Sequence, residues 1–335
     1  MNGRRLARPG HLVAIAVAAW TSLLQSCLAE TVTLRFGQIP STVRGTSSVY
    51  LHLAEQKGFF AREEIKLERI SIPGGTDKMV VALEQGAVDV TQTATPYLIQ
   101  AVLRGSEAVG IASETANPIY SLIVKPEIAS FADLKGRLLG LSLPIDTISI
   151  SMRKLLALKG LGGADYRVKE LVGTPVRFEC LRRGECDGVP LGQPDDLIAL
   201  TQGYRRLGLS TEAVSAFQFQ LLAVKRSWAA ANQDVLVRFV RAIASSFRFI
   251  RNPANRAEVV KTMVAVTGST EDIAGQTLAL YFEPDRGVMP KQAEFSIAGL
   301  AQVIAFMGEG GMLAQPLPPP ERFVDPQYLK AAGAE

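Results

Sequence analysis

Two stretches of this chain follow one pattern. Residues 75–96, GTDKMVVALEQGAVDVTQTATP, and residues 173–194, GTPVRFECLRRGECDGVPLGQP, both fit G-T-x6-L-x2-G-x2-D-x6-P without a gap, 98 residues apart. The same offset carries Ala101 onto Ala199 and Gly105 onto Gly203. A local design used twice calls for two similar lobes. The 335 residues, 47% of them hydrophobic and 20% charged, are enough to close two cores.

Each copy sits in a longer matching unit. The first opens on strand 31–38, a polar loop and a helix from about Ser47 to Lys57. The second opens on strand 137–142, a loop and a helix from about Thr147 to Lys159. Both helices end on Lys-Gly, a cation at the negative end of the helix dipole followed by a residue suited to the left-handed cap. A second strand follows, 65–72 in one unit and 166–172 in the other. The repeat then supplies a helix stopped by Gly86 or Gly184, a short strand, and a helix opened by Pro96 or Pro194. The resulting β-α-β-α-β-α order demands an α/β fold with a mostly parallel sheet flanked by helices in each lobe. Right-handed crossovers put the loops after the strands on one edge of each sheet. If these edges face each other, they enclose a cleft. Asp89 and Asp187 serve the turn geometry on this reading.

Residues 118–125 and 217–225 read as strands crossing between the lobes, and together they form a hinge. Helices follow at 234–250, 254–266, 270–282 and 291–307, with Leu236, Phe239, Val240, Ile243, Phe247 and Ile250 on one face of the first. The lobes are therefore expected at 30–122 with 222–335, and at 123–221.

The N-terminus, MNGRRLARPGHLVAIAVAAWTSLLQSCLAE, has a basic start, a short apolar run and small residues near its end, the layout of an export signal over 1–29. Two processing routes are open: lipidation at Cys27, or ordinary cleavage after Ala29. Without Arg4, Arg5 and Arg8, the 36 basic residues fall almost to the 32 acidic ones. No basic stripe remains for a nucleic acid. Beyond the signal, the cysteines are Cys180 and Cys186, either a small-loop disulfide or two thiols. With His52 they make a poor metal set, so no metal and no cofactor are expected.

The candidate ligand contacts are loop residues at the facing strand ends: Ser41, Arg44, Thr46, Ser47, Gly75, Thr76, Thr93 and Thr95 in one lobe, and Ser142, Asp146, Thr147, Ser149 and Gln193 in the other. Hydroxyls and helix N–H groups suit an oxyanion. Arg44 is either a bidentate donor or a solvated loop residue. Asp146 reads as an N-cap, with the alternative that it and Glu114 face the cleft and hold an amine or ring nitrogen.

The segments LAEQKGFF, LEQGAVDV, SFADLKGRLLGLS, LRRGECDGVPLGQP and VDPQYL, in this order behind an export signal, resemble the solute-binding proteins of ABC importers for nitrate, taurine and aliphatic sulfonates, together with binders of thiamine-pyrimidine precursors. The resemblance runs from about residue 31 to the end. It implies a two-lobed fold of the type II periplasmic-binding-protein kind. It also implies a monomeric, periplasmic protein that closes on a small solute and delivers it to a permease with its ATPase, touching the membrane only through a lipid anchor. Two rivals share the fold: an enzyme of thiamine-pyrimidine synthesis, for which His52 in a helix is a poor catalytic residue, and a receptor that reports occupancy to a sensor.

Overall fold

Each copy of the repeat closes a five-stranded sheet. The computed structural model describes Gly3 and residues 31–214, 216–282 and 288–334. The expected export signal, with Cys27, lies outside the described residues. The strands are β1 (Val32–Gln38), β2 (Ile65–Ser71), β3 (Val90–Ala94), β4 (Ala108–Thr115), β5 (Ser121–Val124), β6 (Leu138–Leu141), β7 (Arg167–Glu170), β8 (Gly188–Leu191), β9 (Arg205–Leu209) and β10 (Gln220–Lys225). One sheet has the order β2-β1-β3-β10-β4 and the other β7-β6-β8-β5-β9. The two orders have the same form, so the duplication extends to topology.

In each sheet one strand opposes the other four. β10 lies antiparallel between β3 and β4, and β5 lies antiparallel between β8 and β9. The two crossing strands are therefore wedged into the sheets they enter. The remaining pairs are parallel, with β1 in register against β2 from Val32↔Ile65 to Gln38↔Ser71.

The repeated residues do the same work in both copies. Gly86 and Gly184 end their helices at φ 68° and 71°, where a side chain would be strained. Asp89 accepts the Arg35 backbone N–H at 2.9 Å, and Asp187 accepts that of Leu138 at 2.9 Å, so each ties the turn to the first strand of its own repeat unit, β1 or β6. A cation completes each arrangement, Arg35 on Asp89 and Lys125 on Asp187.

Helix Gln233–Arg251 buries its expected face, Leu236 to Ile250, against the first sheet. Phe239 reaches Phe36 of β1, ring centres 6.3 Å apart. Such a side chain contributes about 1.5–3 kcal/mol through burial. The helix expected at 291–307 begins later, at Ile297. The Glu294 carboxylate accepts the N–H groups of Lys291 and Gln292, which holds that stretch in a turn, and Ser296 caps the helix through the Gly299 N–H. Among the described residues no helix is long and apolar enough to cross a membrane.

Candidate functional site

The loops after the parallel strands of both sheets meet around a cleft of about 530 Å³. The turn Pro40–Val43 and the segment Thr46–Ser48 contribute from one side, and the N-terminal ends of helices Thr147–Leu158 and Thr174–Arg182 from the other. The lobes touch across the mouth. Thr46 Oγ1 donates to the Gln193 carbonyl at 3.0 Å. A Cβ placed on Gly75 would stand 3.3 Å from both Leu143 and Val172, and one on Gly173 would stand 3.1 Å from Ser41.

Of the residues expected from the sequence, Ser41, Arg44, Thr46, Ser47, Thr76, Ser142, Asp146 and Gln193 line this cleft. The Thr76 hydroxyl and the Gln193 side-chain oxygen are buried without a protein partner. Such atoms are costly unless something else supplies the hydrogen bond. Arg44 is exposed at the rim.

The other five stand outside the lining. Gly75 forms the seam between lobes. Thr93 donates toward the Thr76 carbonyl at 3.4 Å, and Thr95 donates to the Gln218 carbonyl at 2.6 Å. Thr147 donates to Asp146 at 3.3 Å, and Ser149 to the Ser142 carbonyl at 2.8 Å. Asp146 is the N-cap of helix Thr147–Leu158, accepting the Ile148 N–H at 2.9 Å and the Ser142 hydroxyl at 3.0 Å. Burial pushes its pKa up, and these hydrogen bonds oppose the shift. Cys180 and Cys186 are joined, which ties the end of helix Thr174–Arg182 to the turn before β8.

Sequence reasoning passed over the strongest group in the cleft. Arg177 is 1% exposed. It donates from Nε to the Pro190 carbonyl at 2.8 Å, from Nη1 to that of Leu171 at 3.2 Å, and from Nη2 to the Thr174 hydroxyl at 3.0 Å. All three acceptors are neutral. Burial pushes its pKa down, and the more distant Tyr120, Asp146 and Asp195 only partly oppose that. A guanidinium stays charged nonetheless, so a buried cation faces the cleft without a carboxylate bound to it. The repeat held the signal, because the 98-residue offset carries Arg177 onto Met79, itself fully buried. A charge in one copy where the other packs a thioether marks a difference of role.

Asp195 was also missed. It lines the cleft, and burial, reinforced by Asp196, pushes its pKa up to about 6. Asp196 is instead a structural hub that takes Ser121, Gln193 and Arg206. Glu114 lies beneath the cleft rather than in its lining. Tyr50 Oη donates to it at 3.2 Å, and the Gln92 amide donates to its two oxygens at 2.9 and 3.1 Å while accepting the Ile39 N–H at 3.2 Å. Burial pushes its pKa up to about 8. Among the described residues no group of three or more His, Cys, Asp or Glu side chains could hold a metal ion.

Several solved structures share this fold. The nitrate-binding protein NrtA of Synechocystis aligns with a TM-score of 0.75 at 14% identity, over 91% of this chain and 89% of its own. The ligand-binding component of an ABC-type import system from Staphylococcus aureus gives 0.74 at 14%, over 90% and 99%. The alkanesulfonate-binding protein SsuA of Xanthomonas axonopodis, bound to MOPS, gives 0.66 at 18%, over 88% and 98%. A Haemophilus influenzae protein named for thiamine biosynthesis is 35% identical over 94 residues, and that match covers only 29% of its length. Residues 46–257 match the family described as NMT1/THI5 like. The chain has the two-lobed periplasmic-binding-protein fold and belongs to the NMT1/THI5-like family.

Proposed function

We propose that this chain is the extracytoplasmic solute-binding component of an ABC importer. It captures a small organic solute that is anionic or zwitterionic, without chemical conversion, and presents it to a permease. The observation that carries this reading is Arg177, a buried cation in an interlobe cleft whose hydrogen bonds all go to neutral groups. A sulfonate or carboxylate supplies the missing charge, and the free Thr76 and Gln193 atoms supply further polar contacts.

The test is native mass spectrometry of the mature protein from its own periplasm, followed by calorimetry with the solute found. A stoichiometric small-molecule adduct with an acidic group is expected. Arg177→Lys keeps the charge but cannot serve three acceptors and a ligand at once, so affinity should fall on the order of ten- to a hundredfold. Unchanged affinity would remove the basis of the proposal. A thiamine-related pyrimidine is the second reading, favoured by the unpaired Asp195 and by the name of the Haemophilus relative. It requires that Asp195→Asn, rather than Arg177→Lys, abolish binding.

A further inference from the structure

The crossings between the sheets bring aromatic rings to the hinge side of the cleft. Tyr120 directly precedes β5, Phe219 directly precedes β10, and Tyr281 stands near the end of helix Glu271–Phe282; all three line the cavity. Tyr120 and Phe219 meet edge to face, with ring centres 5.9 Å apart and planes at 88°. The Arg177 guanidinium lies 5.9 Å from the Tyr120 ring centre, so the cation and the aromatic wall adjoin. A volume near 530 Å³ is far larger than an inorganic anion or a two-carbon sulfonate requires, and falls within the range of ring-sized ligands. The charges limit the head group. Arg177 is the buried cation of the cleft and Arg44 is exposed at its rim, while Asp146 and Asp195 line the interior beside Arg177 and oppose a second negative charge there.

We propose that the solute is a monocyclic aromatic acid with one anionic group, a benzoate- or benzenesulfonate-like molecule whose acid head meets Arg177 and whose ring packs against Tyr120, Phe219 and Tyr281. A ring hydroxyl or amino substituent turned toward Asp195 would give that carboxylate its partner. This inference rests on the solute-binding reading and narrows it. A flat ring offers edge and face contacts to three aromatic neighbours, where a saturated ring of the same charge offers only its area. Two such contacts correspond to roughly tenfold in affinity.

The experiment is calorimetry on the mature protein at pH 7.5 with 4-hydroxybenzoate and benzenesulfonate, against cyclohexanecarboxylate, ethanesulfonate, taurine and an uncharged aminopyrimidine. The aromatic acids are expected to bind at least tenfold tighter than cyclohexanecarboxylate. Tyr281→Leu, checked for folding by circular dichroism, should reduce that preference severalfold, and Tyr281→Phe should retain it. Equal or tighter binding of the saturated or aliphatic acids overturns the proposal and leaves the solute-binding reading standing. Binding of an uncharged aminopyrimidine in preference to every acid also overturns it. Silence from the whole panel overturns this inference alone; the solute-binding reading falls only if the native protein also carries no small-molecule adduct by mass spectrometry.

Discussion

Glu114 couples the cleft floor to pH. In the folded chain its carboxyl holds its proton up to about pH 8, whereas the ordinary value is 4.5. Between those values the folded state binds more protons than the unfolded one, so stability falls as pH rises from about 4.5 to about 8, and Glu114 adds no further slope above that. Glu114→Gln should flatten this dependence, read as thermal midpoints from pH 5 to pH 9. A variant with the wild-type slope would show that other groups set it. The sequence offered Glu114 as a candidate ligand contact because it ends a strand; what it could not give is the buried contact with Tyr50 and Gln92, the latter held in turn by Thr42. Arg177 shows the complementary case. Read alone, PVRFECLRRG is an ordinary helical surface with three arginines. Only the comparison with Met79 singles out which of them is inside.

At the scale of elements, hydroxyls near a helix start suit a ligand by sequence alone, yet those of Thr147 and Ser149 bond to Asp146 and to the Ser142 carbonyl. Thr147→Ala with Ser149→Ala removes the bonds to Asp146 and to the Ser142 carbonyl. The expected result is a loss of about 1–2 kcal/mol of stability, with affinity for the native solute nearly unchanged. Asp146→Ala should cost about 1 kcal/mol or more as a lost cap, measured by urea unfolding. The Cys180–Cys186 link closes a short loop, and loop entropy gives it about 2 kcal/mol. Cys180→Ser should therefore lower the thermal midpoint in oxidised samples and match reduced wild type, while an equal loss under reductant would assign the effect to packing. The elements themselves were legible because Gly, Pro and Lys mark their ends in both copies. The exception, residues 291–296, is a place where one carboxylate captures two backbone N–H groups, which no periodicity reveals.

For the whole molecule, the duplication and the two crossing segments carried the architecture, and the opposed direction of β5 and β10 was the part not visible in sequence. Of the aromatic wall, Tyr120 was legible as a ring near the cleft loops; Phe219 and Tyr281 were not, since they come from distant parts of the chain, the second crossing and the helix Glu271–Phe282. The close seam at Gly75 implies that the lobes must approach to seal the cleft. Gly75→Phe should hold them apart, giving weaker binding and a radius of gyration by X-ray scattering that no longer shrinks when solute is added. The sheet orders also set a timetable for the growing chain. The second sheet is made wholly from residues 121–209 and can be complete as soon as they emerge. The first cannot, because β4 pairs with β10 and not with β3, so its edge waits until residue 225 arrives. The lobe begun first is finished last, and a chain interrupted before residue 220 would carry a closed second sheet beside an unfinished, adhesive β-edge.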